Sequence, residues 1–149
     1  LRAALYALLA ELESRMAFLV DSEFTDPWSW VKTLSEEHQV RILGYWELAK
    51  RRGVSIGPIG AVTLSQLLQI VAKNKELLTK LDYRSRAEFD KQTGSIPDLR
   101  NSVMHPVRPL VLGHEDVPRV RETVASITDL HTRVRPSGAR GHDHIERTG

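Results

Sequence analysis

The sequence contains no cysteine among its 149 residues. This absence excludes a disulfide framework, thiolate zinc sites, iron–sulfur clusters and a cysteine nucleophile. The chain also lacks any apolar run approaching the ~20 residues that a membrane-spanning helix needs. No clean apolar segment of the signal-peptide type precedes a small-residue cleavage site. We therefore expect a soluble, cytoplasmic protein without a membrane partner.

Motifs for cofactors and metals are missing as well. There is no GxxxxGK[ST] loop, no GxGxxG after a strand, no HExxH and no DxDxDG. His142 and His144 form a His-x-His pair, but they fall in the last fourteen residues, which have no hydrophobic periodicity. We expect this segment, residues 136–149, to be a disordered tail or linker. The sequence thus predicts no cofactor and no metal site.

The chain has little excess of positive over negative charge. Lys and Arg number 21 against 19 acidic residues, so the net charge is only +2. This balance is too mild to demand a nucleic-acid partner, although it does not forbid one. Hydrophobic residues make up 41% and charged residues 27% of the chain, which is typical of a folded protein rather than a disordered one.

What the sequence does have is helical spacing. Apolar residues recur at three- and four-residue intervals through the first twenty positions, and we expect one stripe made of Leu1, Leu5, Leu8, Leu12, Met16 and Leu19. Similar patterns follow to about residue 130, and no convincing strand pair interrupts them. The prediction is an all-α fold, an up-and-down bundle of four to five main helices over residues 1–135.

Helix starts and stops support this fold. Ser35 is placed to cap a helix that Gly53 would end, and Thr63 with Gln66 has the spacing of a capping box. Ser85 with Glu88 predicts a second capping box, for a helix that ends at Gly94. Between these two boxes, Leu77, Leu78 and Leu81 are expected only to fill space in the core.

One stretch, residues 99–105 with the sequence LRNSVMH, could carry chemistry. It places a permanent cation, an amide and an imidazole just before Pro106. A histidine can take a proton from a ribose hydroxyl or give one to a leaving oxygen, and an arginine can hold a phosphate. Asn101 and His105 are four residues apart, so the amide could orient the imidazole. Arg100 and His105 lie about 140° apart around a regular helix, so they do not naturally point together.

Two arrangements could bring the pair together. Pro106 disfavours helical geometry at His105, which would loosen the last turn. Alternatively, a second subunit could supply the missing partner across a two-fold axis. A purely structural interpretation also stands, in which His105 caps helix carbonyls and Arg100 pairs with an acid. Arg108 lies close in sequence to the motif, and arginine suits phosphate geometry, so we count it as a candidate RNA-binding residue.

The same stretch resembles the hallmark of the HEPN superfamily, whose motif is Arg, a polar residue, three more residues and then His. Residues 8–15 are similar to the first helix of HEPN-like domains, in which an acid near the middle follows a hydrophobic residue. Residues 63–67 and 81–89 sit where such domains carry their middle helices, so the likeness spans roughly residues 5–110. The residues of the motif resemble those of toxin-type members and those of members that stand beside ligand-sensing CBS pairs.

The resemblance implies a metal-independent endoribonuclease, of the toxin or antiviral-effector kind, that acts as a homodimer on RNA. Arg100 and His105 map onto the catalytic pair, Asn101 onto the polar position after the arginine, and Glu13 onto the acidic position of the first helix. A toxin would have a cognate antitoxin protein as a partner. Other members keep the fold without catalysis, so a dimerising, ligand- or RNA-binding domain of a larger regulatory protein is the alternative.

Overall fold

The computed structural model describes residues 1–105, 107 and 109–134. Within these residues the regular structure is helical and no strand is present, which confirms the all-α prediction. The elements are α1 (Arg2–Glu23), α2 (Trp28–Val31), α3 (Glu36–Arg51), a 3-10 turn (Pro58–Ala61), α4 (Leu64–Ala72), α5 (Lys75–Lys80), α6 (Arg86–Thr93), α7 (Ile96–Met104) and α8 (Asp116–Arg133). The predicted tail, residues 136–149, lies outside the described part of the chain.

Helix α1 is at the centre of the packing. It contacts α4, α7, α8 and the 3-10 turn, and one continuous core of buried apolar side chains extends from it. Its buried face consists of Leu5, Leu9, Leu12, Met16 and Val20. The expected stripe is therefore wrong at one end and slightly rotated: Leu1 is 80% exposed, and Leu8 and Leu19 lie at the flank of the core. The spacing of the buried residues, close to 3.6 per turn, keeps them on one side of the helix.

Local capping signals set most of the helix boundaries. The Ser35 side chain accepts a hydrogen bond from the backbone N–H of His38 at the start of α3. Thr63 and Gln66 form the predicted capping box, and Gln66 is buried with its side chain bonded to the Thr63 N–H. These bonds satisfy N–H groups that have no partner within the helix.

The second predicted capping box forms only in part. Ser85 accepts a hydrogen bond from the Glu88 N–H, as expected. The Glu88 carboxylate accepts from the N–H of Arg84, one residue before the cap, rather than from Ser85. Helix α6 then ends before Gly94, as predicted.

The region between the two boxes contains a helix that the sequence analysis did not predict. Asn74 caps α5 by accepting from the Leu77 N–H at 2.9 Å. Leu77, Leu78 and Leu81 are buried, as expected, but the first two lie on a six-residue helix. A helix this short spans fewer than two turns, so it leaves little periodicity to detect.

Helices α7 and α8 place the candidate motif. Leu99 and Val103 are buried where α7 packs against α1 and α8. Pro97 stands in the first turn of α7, where its missing N–H has no cost. No helix of the described residues has both the length and the apolar character needed to cross a bilayer.

Candidate functional site

A pocket of about 420 Å³ lies between α1, α7 and the residues around the 3-10 turn. This size falls in the range of small-ligand pockets. The lining residues that matter most are Tyr6 and Glu13 from α1, Ile59 and Val62 from the turn region, and Arg100 and Met104 from α7. Two of the residues predicted from sequence, Glu13 and Arg100, therefore line the same pocket.

Glu13 and Arg100 are both partly buried. Among the residues that the structure describes, neither side chain makes a hydrogen bond, and neither has an oppositely charged group within 4.0 Å. The structural interpretation in which Arg100 pairs with an acid is therefore not observed in this part of the chain. Partly buried charges usually have partners, because removing a charge from water costs free energy. The two groups are thus available to a ligand.

His105 directly follows the lining residue Met104 but does not itself line this pocket. It is the first residue after α7, with an extended backbone of φ −106° and ψ 97°, and it is exposed. This confirms that helical geometry is disfavoured at the residue before Pro106. His105 is not among the residues that line the pocket. The pocket lining of one chain therefore contains Arg100 but not His105.

The carbonyl-capping role that the structural interpretation gave to His105 belongs to a different residue. The Arg2 guanidinium donates hydrogen bonds to the carbonyl oxygens of Ser102 at 2.5 Å, Val103 at 3.0 Å and His105 at 3.3 Å. A cation at a helix C-terminus also interacts favourably with the helix dipole. Arg2 thus fixes the end of the motif helix, and the sequence analysis did not identify it.

Asn101 is exposed on α7, and its backbone carbonyl accepts the N–H of His105 at 3.2 Å. No hydrogen bond joins its side-chain amide to the His105 imidazole in the described structure. The expected orienting contact assumed that both residues lie on one helix face. Because His105 has left the helix, the four-residue spacing no longer aligns the two side chains.

Several sequence predictions fall on other parts of the chain. Arg108, the candidate RNA-binding residue, lies outside the described residues, as do Pro106, His142 and His144. Over the ranges 1–105 and 109–134, no group of three or more His, Asp or Glu side chains is arranged to hold a metal ion.

Tyr6 and Met104 also line the pocket, beside the two charged residues, and neither is among the residues predicted from the sequence. A signal for both was present. Tyr6 precedes Glu13 by seven residues and Met104 follows Arg100 by four, and both spacings place residues on one face of a helix.

No protein-family model, no curated protein and no solved structure matches this chain. The HEPN assignment thus depends on the sequence resemblance alone and stays a prediction.

Proposed function

We propose that the chain is a metal-independent endoribonuclease of the HEPN type. The observation that carries this proposal is the Arg100 guanidinium, which is partly buried at an open pocket and forms no ion pair within 4.0 Å in the described residues. A phosphate would supply that counter-charge, and arginine binds phosphate with two parallel hydrogen bonds. In the transition state, the same bonds would stabilise the charge that develops on the phosphate oxygens.

His105 is the proposed acid and base. In the reaction, the ribose 2′-hydroxyl loses its proton to a base and attacks the adjacent phosphorus. The bond to the 5′-oxygen breaks, and that oxygen takes up a proton. The products are a 2′,3′-cyclic phosphate and a 5′-hydroxyl. An exposed imidazole with no hydrogen bond in the described structure is suited to both proton transfers.

We infer a homodimer because His105 does not line the pocket that contains Arg100. We propose that His105 of one chain acts at the phosphate held by Arg100 of a second chain, across a two-fold axis. Among the described residues, the pocket lining includes a phosphate-binding group, Arg100, but no histidine. RNA is the proposed substrate. A cognate antitoxin as partner and the cytoplasm as compartment follow from the resemblance alone.

The direct test is cleavage of single-stranded and tRNA-like RNA by the purified protein, with the ends of the products identified. His105→Ala should lower the rate by about 10²–10⁴-fold, and Arg100→Ala by about 10²–10³-fold. Arg41→Ala is the matched control, because Arg41 is an exposed arginine that, among the described residues, forms an ion pair only with Glu37 on its own helix. Cleavage should persist in EDTA. Activity of His105→Ala equal to that of the wild type would refute the proposal.

A mixing experiment tests the composite site. Arg100→Ala and His105→Ala should each show only the strongly lowered rate given above when assayed alone. After the two are mixed and allowed to exchange subunits, about one quarter of the sites would combine an intact Arg100 with an intact His105. Recovered activity supports a site shared between chains, whereas two inactive variants that stay inactive after proven exchange contradict it.

A second function is favoured by one specific observation. The pocket joins apolar walls to two charged groups, as ligand-binding sites commonly do, and His105 is not part of it. A non-catalytic, HEPN-like binding domain of a larger regulatory protein would need only these groups. If the purified wild type cuts no RNA, this second function is the one to retain.

A further inference from the structure

The shape of the pocket follows from small side chains. Ala10 and Ala17 lie on the same face of α1 as Tyr6 and Glu13, and Gly60 is part of the opposite wall. Between Tyr6 and Glu13 the lining consists of the buried Leu9 and the small Ala10, which leaves a hollow in the surface of α1 at Ala10. The hollow is bounded by an aromatic ring at one end and a carboxylate at the other, about two helical turns apart.

The lining groups suit the three parts of a nucleotide. Arg100 can bind a phosphate with its forked donors. Tyr6 is 52% exposed and Met104 is 42% exposed, so both present apolar surface against which a planar ring can pack. Glu13 offers two acceptor oxygens and, when ionised, no donor.

The carboxylate decides which base fits. A base edge with two neighbouring N–H donors can bind both oxygens of a carboxylate at once. Guanine has such an edge, formed by N1–H and the exocyclic amine. In adenine and cytosine the amine stands beside a ring-nitrogen acceptor, and in uracil the N–H stands between two carbonyl oxygens. Each of these acceptors would face the Glu13 oxygens and repel them.

We propose that the pocket is a guanine-selective nucleotide site, with the base edge on Glu13, the ring against Tyr6 and the phosphate on Arg100. This deepens the proposed function and rests on it for one consequence: in an RNA substrate, the pocket holds the guanosine next to the phosphate that is cut. The recognition of a free guanine nucleotide does not depend on cleavage.

The binding test uses free mononucleotides and needs no activity. Guanosine 5′-monophosphate should bind the wild-type protein about tenfold to a hundredfold more tightly than adenosine 5′-monophosphate, the discrimination that one good bidentate base contact provides. Inosine 5′-monophosphate, which lacks the exocyclic amine, should fall between them. Glu13→Gln should remove the preference, while Glu37→Gln, a change at an exposed acid on α3, should keep it. Tyr6→Ala should weaken binding of both nucleotides.

The cleavage test uses an RNA that carries one guanosine, with matched RNAs that carry adenosine or inosine at that position. The wild type should cut beside guanosine, and Glu13→Gln should cut with no preference. Equal binding of the guanine and adenine nucleotides overturns the guanine site, whether or not RNA is cut. Selective guanine binding without any cleavage supports the site and rejects the ribonuclease, so the two failures are distinguishable.

Discussion

Arg2 is predicted to stabilise the end of the motif helix from 100 residues away in sequence. Its guanidinium donates to three carbonyl oxygens at the C-terminus of α7, and the two shortest of these bonds are partly buried. A hydrogen bond that involves a charged group contributes about 1.5–3 kcal/mol. Allowing for the exposure of the third bond, we expect Arg2→Ala to lower the free energy of unfolding by about 2 kcal/mol.

Urea denaturation measures the loss in unfolding free energy. The variant Arg2→Lys separates the contribution of the charge from that of the forked hydrogen bonds. Lysine keeps the charge but is a single point donor without the planar fork, so it should recover about half of the lost stability. Arg41→Ala again serves as the control, because an exposed pair four residues apart on a helix contributes only about 0.3–0.5 kcal/mol.

Hydrogen exchange localises the effect. The amide of His105 is bonded to the Asn101 carbonyl at the C-terminal end of α7. In Arg2→Ala this amide should exchange about tenfold faster or more, since each 1.4 kcal/mol corresponds to a factor of ten. An unfolding free energy for Arg2→Ala no lower than that for Arg41→Ala would refute the capping role.

Three further outcomes follow from contacts elsewhere in the fold. Arg133 donates hydrogen bonds to the carbonyl oxygens of residues 81 and 82, in a turn whose second residue has a positive φ of 62°. Its guanidinium also packs on the Tyr83 ring. Arg133→Ala should therefore lower the free energy of unfolding, measured in urea, by about 2 kcal/mol. The hydrogen bond from Arg15 lowers the pKa of Glu11 in the folded protein. The ionised Glu11 carboxylate therefore stabilises the fold above the ordinary glutamate pKa, and this stabilisation is lost as the pH falls through the lowered pKa of the folded state. Glu11→Gln should accordingly reduce the loss of unfolding free energy on the acid side of a pH–stability profile. Burial raises the pKa of Tyr83 to about 12, because it disfavours the charged phenolate. The neutral phenol therefore stabilises the fold, and this stabilisation is lost as the pH rises from the ordinary tyrosine pKa towards that value. Tyr83→Phe should remove the last step of an alkaline ultraviolet titration.

Local signals explain which parts of the fold could be predicted. Ser35 and Thr63 cap helices through bonds to residues three positions away, and such bonds depend only on the nearby sequence. The same holds for the extended backbone of His105, which its following proline dictates. Helix α5 escaped prediction because Asn74 caps a segment too short to show a period.

Long-range contacts explain what could not be predicted. The bonds from Arg2 to α7 join residues 100 or more positions apart, and no spacing in the sequence indicates them. The pocket depends in the same way on the packing of α1 against α7. The sequence did single out Glu13 and Arg100, but Glu13 was reached only through the resemblance. Their common pocket is a result of the tertiary structure.

Local signals and long-range contacts both determine the position of His105, and as a result the proposed activity should depend on protein concentration. The following proline directs His105 out of the helix, Arg2 binds the carbonyls where the helix ends, and Arg100 lines the pocket whereas His105 does not. If the site needs His105 of a second chain, dilution below the dimer dissociation constant removes the site itself. The specific activity should then fall in proportion to the dimer fraction measured by sedimentation over the same concentrations, from tens of micromolar downwards, a range in which an interface of standard size is populated. A specific activity that stays constant while sedimentation shows only monomer would mean that one chain holds the complete site, and the shared arrangement would be wrong.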